Sequence, residues 1–292
     1  MLRTALVLLW SAVAAAQPSV SELLEAKTLE QLKKWDCSFD GALGVSVVDV
    51  STGRRFALNG DTAFPQASVI KVPVMVTLFQ AARAGAFRLS DKVEVAPREL
   101  IAGSVVLAPL LAKGPAALTV SELLRAMIEK SDNTATNKLI ALLGMERVNR
   151  AMDGLGLKQT RLRRIMLDSA AARRNEENVS TPNEMARLFE MIATARVVDA
   201  EACREMIDIL RRVDGGFREG LPLDTDAAVK VGAIPGSRSE SGIVFVKGRP
   251  FVLSVMSAFI DDRRSPVAEV TRIVYPLFEK LASSNQYGQR LQ

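Results

Sequence analysis

The sequence predicts an α/β fold of the α+β kind with two lobes, and three observations carry that reading. Strand-like alternation is confined to the two ends of the 292-residue chain. Helical periodicity fills the interval between them, and capping patterns mark where the long helices begin. Strands far apart in sequence then meet in one sheet of about five antiparallel strands, covered by the terminal helices. The intervening helices form a second lobe, and the crevice between the lobes is the natural place for a site.

The elements follow in order. Residues 1–16, MLRTALVLLWSAVAAA, combine an early Arg3, a short apolar run and a small-residue ending at Ala14-Ala15-Ala16, the pattern of a cleaved secretory signal. A spanning helix needs about 20 apolar residues, and the polar run from Gln17 arrives too soon. No stable membrane anchor is expected, and the protein is expected to be secreted or periplasmic. A helix over 19–35 opens on the capping pattern Ser19-Val20-Ser21-Glu22. GALGVSVVDV alternates as a half-buried strand, Ser51-Thr52-Gly53 turns the chain, and RRFALN returns as the second arm of a hairpin.

From about residue 68 to 212 the pattern is helical, with Thr119-Val120-Ser121-Glu122 as a second capping box and Gly85, Gly144 and Gly156 as stops. Strands resume in AAVKVGAI, SGIVFVKG and PFVLSVMSAFI, the last two joined at Gly248-Arg249. A final helix starts at Ser265 with Pro266 in the tolerated first position, and the tail NQYGQRLQ is expected to fray. The expected organisation is one catalytic domain over 17–284, with a sheet lobe of 17–60 and 215–284, a helical lobe of 61–214, and a tail of 285–292.

Composition removes several classes of function. The chain contains no histidine, which excludes Ser-His-Asp and Cys-His nucleophile systems and the usual histidine-bearing zinc sites. Neither a metal nor any other cofactor is expected. The net charge of +5 is spread over mixed signs, and the densest basic run, Arg161, Arg163, Arg164, Arg173 and Arg174, has no interleaved aromatic residues to stack bases, so no nucleic acid is expected as a partner. Cys37 and Cys203 are read as free, structural thiols, with a disulfide between them as the lesser alternative.

Chemistry enters at ASVIKVP, where Ser68 and Lys71 form the only Ser-x-x-Lys in the chain. On a helix this spacing puts both side chains on one face, about 5 to 6 Å apart at Cβ, although Pro73 removes a backbone donor inside that helix. KSDNTATN supplies Ser131-Asp132-Asn133, and AVKVGA supplies Lys230-Val231-Gly232. In this order the motifs resemble those of the class A serine β-lactamases and their penicillin-binding relatives, Ser-x-x-Lys, Ser-Asp-Asn and Lys-Thr-Gly. The resemblance spans nearly the whole mature chain. Serine families of similar fold that use Tyr-x-Asn fit less well, because the two tyrosines stand in Tyr275-Pro276-Leu277 and Tyr287-Gly288-Gln289.

The resemblance implies roles. Ser68 would be the acylated nucleophile and Lys71 the acceptor of its proton, its pKa depressed by a second cation at Lys230 and by the helix N-terminus. Ser131 would relay a proton to the leaving nitrogen. Substrate binding falls to Asn133, Val231, Gly232 and Ala233, with the backbone donors of Ser68 and Ala233 as the oxyanion hole. Asp132 reads as structural, and Asn137 matches a family position that faces the loop behind the nucleophile.

Two departures from the family pattern bear on activity. Val231 replaces the hydroxyl residue that binds the substrate carboxylate. Ser237, Arg238 and the pair Arg263 and Arg264 are the substitutes the sequence offers, and it does not choose among them. Counting back from Thr181-Pro182, Ile165 stands where the family carries the glutamate that activates the deacylating water, and Asp168 is the nearest carboxylate. Glu176 and Glu177 are expected to pair with the loop arginines at the surface.

The leading reading is therefore a secreted, monomeric serine hydrolase that opens β-lactams with slow deacylation. Beside it stands a D-alanyl-D-alanine peptidase or esterase merely inhibited by them, and then a non-catalytic binding module. Its partner is a small molecule, a β-lactam or a peptidoglycan-like peptide.

Overall fold

The computed structural model describes residues 18–261 and 265–291. The expected signal at 1–16 and the candidate anchors Arg263 and Arg264 lie outside the described residues. The chain begins with α1 (Val20–Asp36), the hairpin β1 (Ala42–Asp49) and β2 (Arg55–Leu58), and β3 (Phe64–Pro65). A 3-10 turn at Ala67–Ile70 leads into α2 (Lys71–Arg83). There follow β4 (Lys92–Val95), α3 (Leu107–Leu111), β5 (Ala116–Thr119), α4 (Val120–Glu129), α5 (Asn133–Leu143), α6 (Met145–Gly154), α7 (Ser169–Arg173), β6 (Val179–Ser180), α8 (Pro182–Ala193), α9 (Ala200–Leu210) and α10 (Phe217–Gly220). The strands β7 (Asp226–Ile234), β8 (Ser237–Phe245) and β9 (Phe251–Ala258) and the helix α11 (Val267–Ala282) close the fold.

Both capping boxes form: Ser19 Oγ accepts from Glu22 N, and Thr119 Oγ1 from Glu122 N, while each glutamate reaches back to its cap residue's N–H. Five strands pair antiparallel in the order β2-β1-β9-β8-β7, so the two ends of the chain supply one sheet. α1 and α11 pack together against β2 and β9, and α8 packs across β1, β8 and β9. In the helical lobe α2 is buried from Lys71 through Phe79, as a helix apolar on every side must be, with α4, α5, α6 and α9 around it. That central helix begins at the site.

Four details differ from the sequence reading. The helical block contains two short ribbons, β3 with β6 and β4 with β5, whose partners lie too far apart in sequence to show as hairpins. β8 starts at Ser237, with the turn at Pro235-Gly236, which places Glu240 inside the sheet. α11 starts at Val267 with Pro266 as its cap residue. The tail is not frayed across 285–291: Asn285 Oδ1 accepts from the N–H groups of Tyr287 (3.0 Å) and Gln289 (3.1 Å), and Leu291 N donates to Ser283 O at 2.9 Å. An asparagine that gathers the N–H groups following it makes a closed turn. Cys37 and Cys203 are free, one exposed and one buried, and no helix among the described residues is long and apolar enough to cross a membrane.

Candidate active site

Ser68 stands in the 3-10 turn and Lys71 opens α2, so the three-residue spacing puts both at one helix end. Pro73 is the third residue of α2, where the N–H has no intrahelical acceptor, and its missing donor is harmless there. The turn is entered through Ala67 at φ 44, a left-handed conformation that an L-residue holds only against a cost of about 1–2 kcal/mol. Neighbours enforce it. Gln66 N donates to Asn178 O at 2.8 Å, Ser239 Oγ donates to Pro65 O at 3.1 Å, and β7 lies so close that a Cβ on Gly232 would sit 2.5 Å from Gln66 O and 3.0 Å from Ser68 N. Gly232 thus brings Ser68 N and the exposed Ala233 to the same strand edge.

Ser131 joins from the link between α4 and α5, itself at φ 54. Asp132 holds this link: fully buried, its carboxylate accepts from Ala135 N (2.9 Å) as the cap of α5 and from Val106 N and Leu107 N (3.0 Å each). That is the structural role the sequence suggests. Asn133 donates through Nδ2 to Ala102 O (3.0 Å) and accepts from Lys71 at Oδ1 (2.9 Å).

The two lysines meet around Ser131. Lys71 Nζ lies 2.7 Å from Ser131 O and 3.0 Å from Ser131 Oγ, and Lys230 Nζ approaches the same Oγ at 3.2 Å while donating to Val231 O at 3.1 Å. Burial pushes the Lys71 ammonium down to about 6, the charge of Lys230 pushes the same way, and Asp132 opposes both. Burial also lowers Lys230 to about 8, against the pull of Glu240. The Lys71 nitrogen has three acceptors around it, Ser131 O, Ser131 Oγ and Asn133 Oδ1. No hydrogen bond joins Lys71 Nζ to Ser68 Oγ among the described residues, and the Lys71 nitrogen is turned to Ser131 and Asn133.

The loop behind Ser68 is held by two asparagines. Asn178, buried, accepts from Arg163 N (2.8 Å) and Arg164 N (3.1 Å) and donates to Arg164 O (3.1 Å). Asn137 accepts from Met166 N (2.8 Å) and donates to Met166 O (3.2 Å). Ile165 is 41% exposed and turned to solvent, whereas Met166 is 7% exposed and joins the core. Met166 is buried in this loop along with Leu162, Ala171 and Asn178, and none of the four carries a carboxylate. Asp168 caps α7 by accepting from Ala171 N at 2.9 Å. Arg174 pairs with Glu176 at the surface as expected, whereas the pair of Arg164 with Glu177 is mostly buried.

Of the substitutes for Val231, Ser237 is buried and donates to Ser257 O at 2.7 Å. Arg238 donates to Ile234 O and Ser237 O at the hairpin end. Glu240, Met166 and Asn178 went unnoticed in the sequence. Glu240 was hidden because the run SRSE reads as a turn, although a carboxylate within two residues of an apolar strand was the available signal.

Two grooves of about 690 and 940 Å³ flank α1 on the outer surface, with Lys27 and Lys280 in the walls of both.

Residues 27–278 match the model of the β-lactamase enzyme family. The chain is 30% identical over 244 residues to β-lactamase AST-1 of Nocardia asteroides, covering 80% of this chain and 77% of that one. It is 26% identical over 257 residues to β-lactamase SME-1 of Serratia marcescens, covering 84% and 86%. Among solved structures, the ancestral GNCA class A β-lactamase superposes with a TM-score of 0.79 at 30% identity, over 86% of this chain and 100% of that one. PBP-A superposes with a TM-score of 0.79 at 25% identity, over 87% and 96%. With its fold, its motif order and its relatives in agreement, the chain belongs to the class A serine β-lactamase family, and it is a serine hydrolase of the β-lactam-opening kind.

Proposed function

We propose that Ser68 is acylated by β-lactams and that the acyl-enzyme is released slowly. The observation that carries this reading is the fully buried Lys71, set beside Lys230 with Ser131 Oγ between their Nζ atoms. Such burial supports a neutral amine near pH 7, the form a general base needs.

Ser68 Oγ attacks the lactam carbonyl carbon and gives its proton to Lys71 Nζ. The oxyanion is met by the N–H groups of Ser68 and Ala233. As the C–N bond breaks, Ser131 Oγ passes its proton to the leaving nitrogen and is reprotonated from Lys71, which returns the base to its neutral form. Asn133 Nδ2 keeps one hydrogen free beyond its bond to Ala102 O and offers it to the substrate amide. Gly232 admits the substrate along the edge of β7. Lys230 supplies the fixed positive charge.

Release needs a base for water. Met166 cannot serve, and Asp168 is occupied as a helix cap, so the ester at Ser68 persists. The same two features favour a second reading, a peptidase or esterase of the PBP-A kind that β-lactams inhibit. Secretion after loss of residues 1–16, and a monomeric state, belong to this proposal.

Intact-protein mass followed after adding a penicillin tests it. The expected result is rapid gain of one penicillin mass, slow decay, and no gain in Ser68→Ala. An adduct of equal yield in Ser68→Ala removes Ser68 from the mechanism, and turnover without any accumulating adduct removes slow deacylation.

A further inference from the structure

Glu240 is a buried carboxylate that the proposed chemistry leaves unused. The register of β7 and β8 sets it directly opposite Val231, and residues so paired share a sheet face with Cβ atoms about 5 Å apart. Val231 is half-buried, and Glu240 is 1% exposed. The carboxylate accepts from Gly216 N (2.8 Å) and Phe217 N (3.0 Å) where α10 begins. Its space is made by two glycines: a Cβ on Gly215 would fall on Glu240 Oε1, and one on Gly216 would sit 3.3 Å from Oε2. The charges that bear on it are Lys230 from β7 and Glu219 from α10.

We propose that Glu240 makes the subsite at Val231 select substrates whose group beside the scissile amide is uncharged or cationic, such as an ester, an amide or an amine, over the carboxylate that penicillins carry there. The inference rests on the reading of Ser68 and its neighbours as the reaction centre. Val231 offers no donor to a carboxylate, and Glu240, once ionised, sets a negative charge behind it that offsets Lys230. Away from bulk water this repulsion is only partly screened. Burial pushes the Glu240 carboxyl up to about 7 and Lys230 down to about 8, so the repulsion grows as pH rises past the first value.

The test compares benzylpenicillin with its methyl ester at pH 7.5, each acylation efficiency divided by the compound's alkaline hydrolysis rate. Wild-type protein is expected to acylate the ester at least as fast as the acid, and Glu240→Gln to raise the acid-to-ester ratio about tenfold, the size of one partly screened charge. A wild-type preference for the acid overturns the proposal, and so does an unmoved ratio in a folded Glu240→Gln. A merely structural role for Glu240 would shift both compounds together. If that variant does not fold, the wild-type preference alone decides the sign.

Binding of the same pair to Ser68→Ala, followed by NMR titration, separates the two readings. Tighter ester binding without wild-type acylation of either compound sinks the proposed reaction and keeps the subsite. Tighter acid binding sinks the subsite.

Discussion

Replacing Lys71 by methionine should flatten the dependence of stability on pH. The folded amine holds its proton only below about 6, whereas in the unfolded chain it holds one up to its ordinary value of 10.5. Unfolding therefore takes up a proton throughout the window between those values. The group's penalty on the native state is full below the folded value and is recovered as pH rises toward the unfolded one, with a slope of about 1.4 kcal/mol per pH unit. At pH 7 the gap to 10.5 is 3.5 units, a penalty of about 5 kcal/mol on this scale. Methionine keeps most of the stem but has no proton to take up. It leaves Ser131 O and Asn133 Oδ1 without their donor, a loss that does not vary with pH.

Between pH 7.5 and 9.5 the wild type should gain about 2.7 kcal/mol more than Lys71→Met. Urea unfolding at pH 7.5, 8.5 and 9.5 gives the three free energies, and equal m-values confirm that the two proteins unfold alike. Parallel curves refute the reasoning, since Lys71 would then be an ammonium in the native state and could not take the Ser68 proton.

Other expectations follow from the same geometry. Acylation should rise with pH through about 6 as Lys71 deprotonates and fall beyond about 8 as Lys230 does; a flat profile across that range excludes both assignments. Met166→Glu should hasten decay of the acyl-enzyme by about tenfold or more, whereas Ile165→Glu at the exposed position should leave it alone, and the reverse pattern would restore Ile165 as the critical position. Val231→Thr should improve acylation by carboxylate-bearing β-lactams about tenfold, the lower end of what a hydrogen bond to a charged group contributes, and no gain would place the carboxylate elsewhere. Asp132→Ala should lower stability by about 3 kcal/mol, since three N–H groups lose their acceptor; calorimetry showing less than about 1 kcal/mol would contradict its structural role.

Much of this was legible because the fold writes itself in local signals. The capping boxes at Ser19 and Thr119 and the glycine stops give the helices, and short β-branched apolar runs give the sheet, although β1 and β9 are buried on both faces and β1 is not half-buried as its sequence suggests. The motifs at Ser68, Ser131 and Lys230 survive as short strings because each sits on a rigid turn or strand whose backbone sets its direction. What escaped depends on facing and on distant pairing. A one-residue slip in a loop moves a side chain from core to solvent, and only the grip of Asn137 on Met166 separates that residue from Ile165. Glu240 matters through its opposition to Val231, and that register is set by where a hairpin turns. The ribbons β3–β6 and β4–β5 are tertiary pairings that no local window contains.

The order of the sheet also governs how the molecule can be made. Ala42 opposes Ala258 along the β1–β9 ladder, so the middle of the sheet cannot close until the whole helical segment between them has been gathered. Closing so long a loop spends entropy before the ladder repays it, and chains dominated by such non-local contacts fold slowly. Ser68, Ser131 and Lys230 lie on three separate stretches of that loop and its rim. The helical segment can collapse early, while the reaction centre can exist only after β7 has docked beside the 3-10 turn. Any fragment ending before residue 226 will therefore contain the serine and its neighbouring lysine without the strand edge that makes them a site.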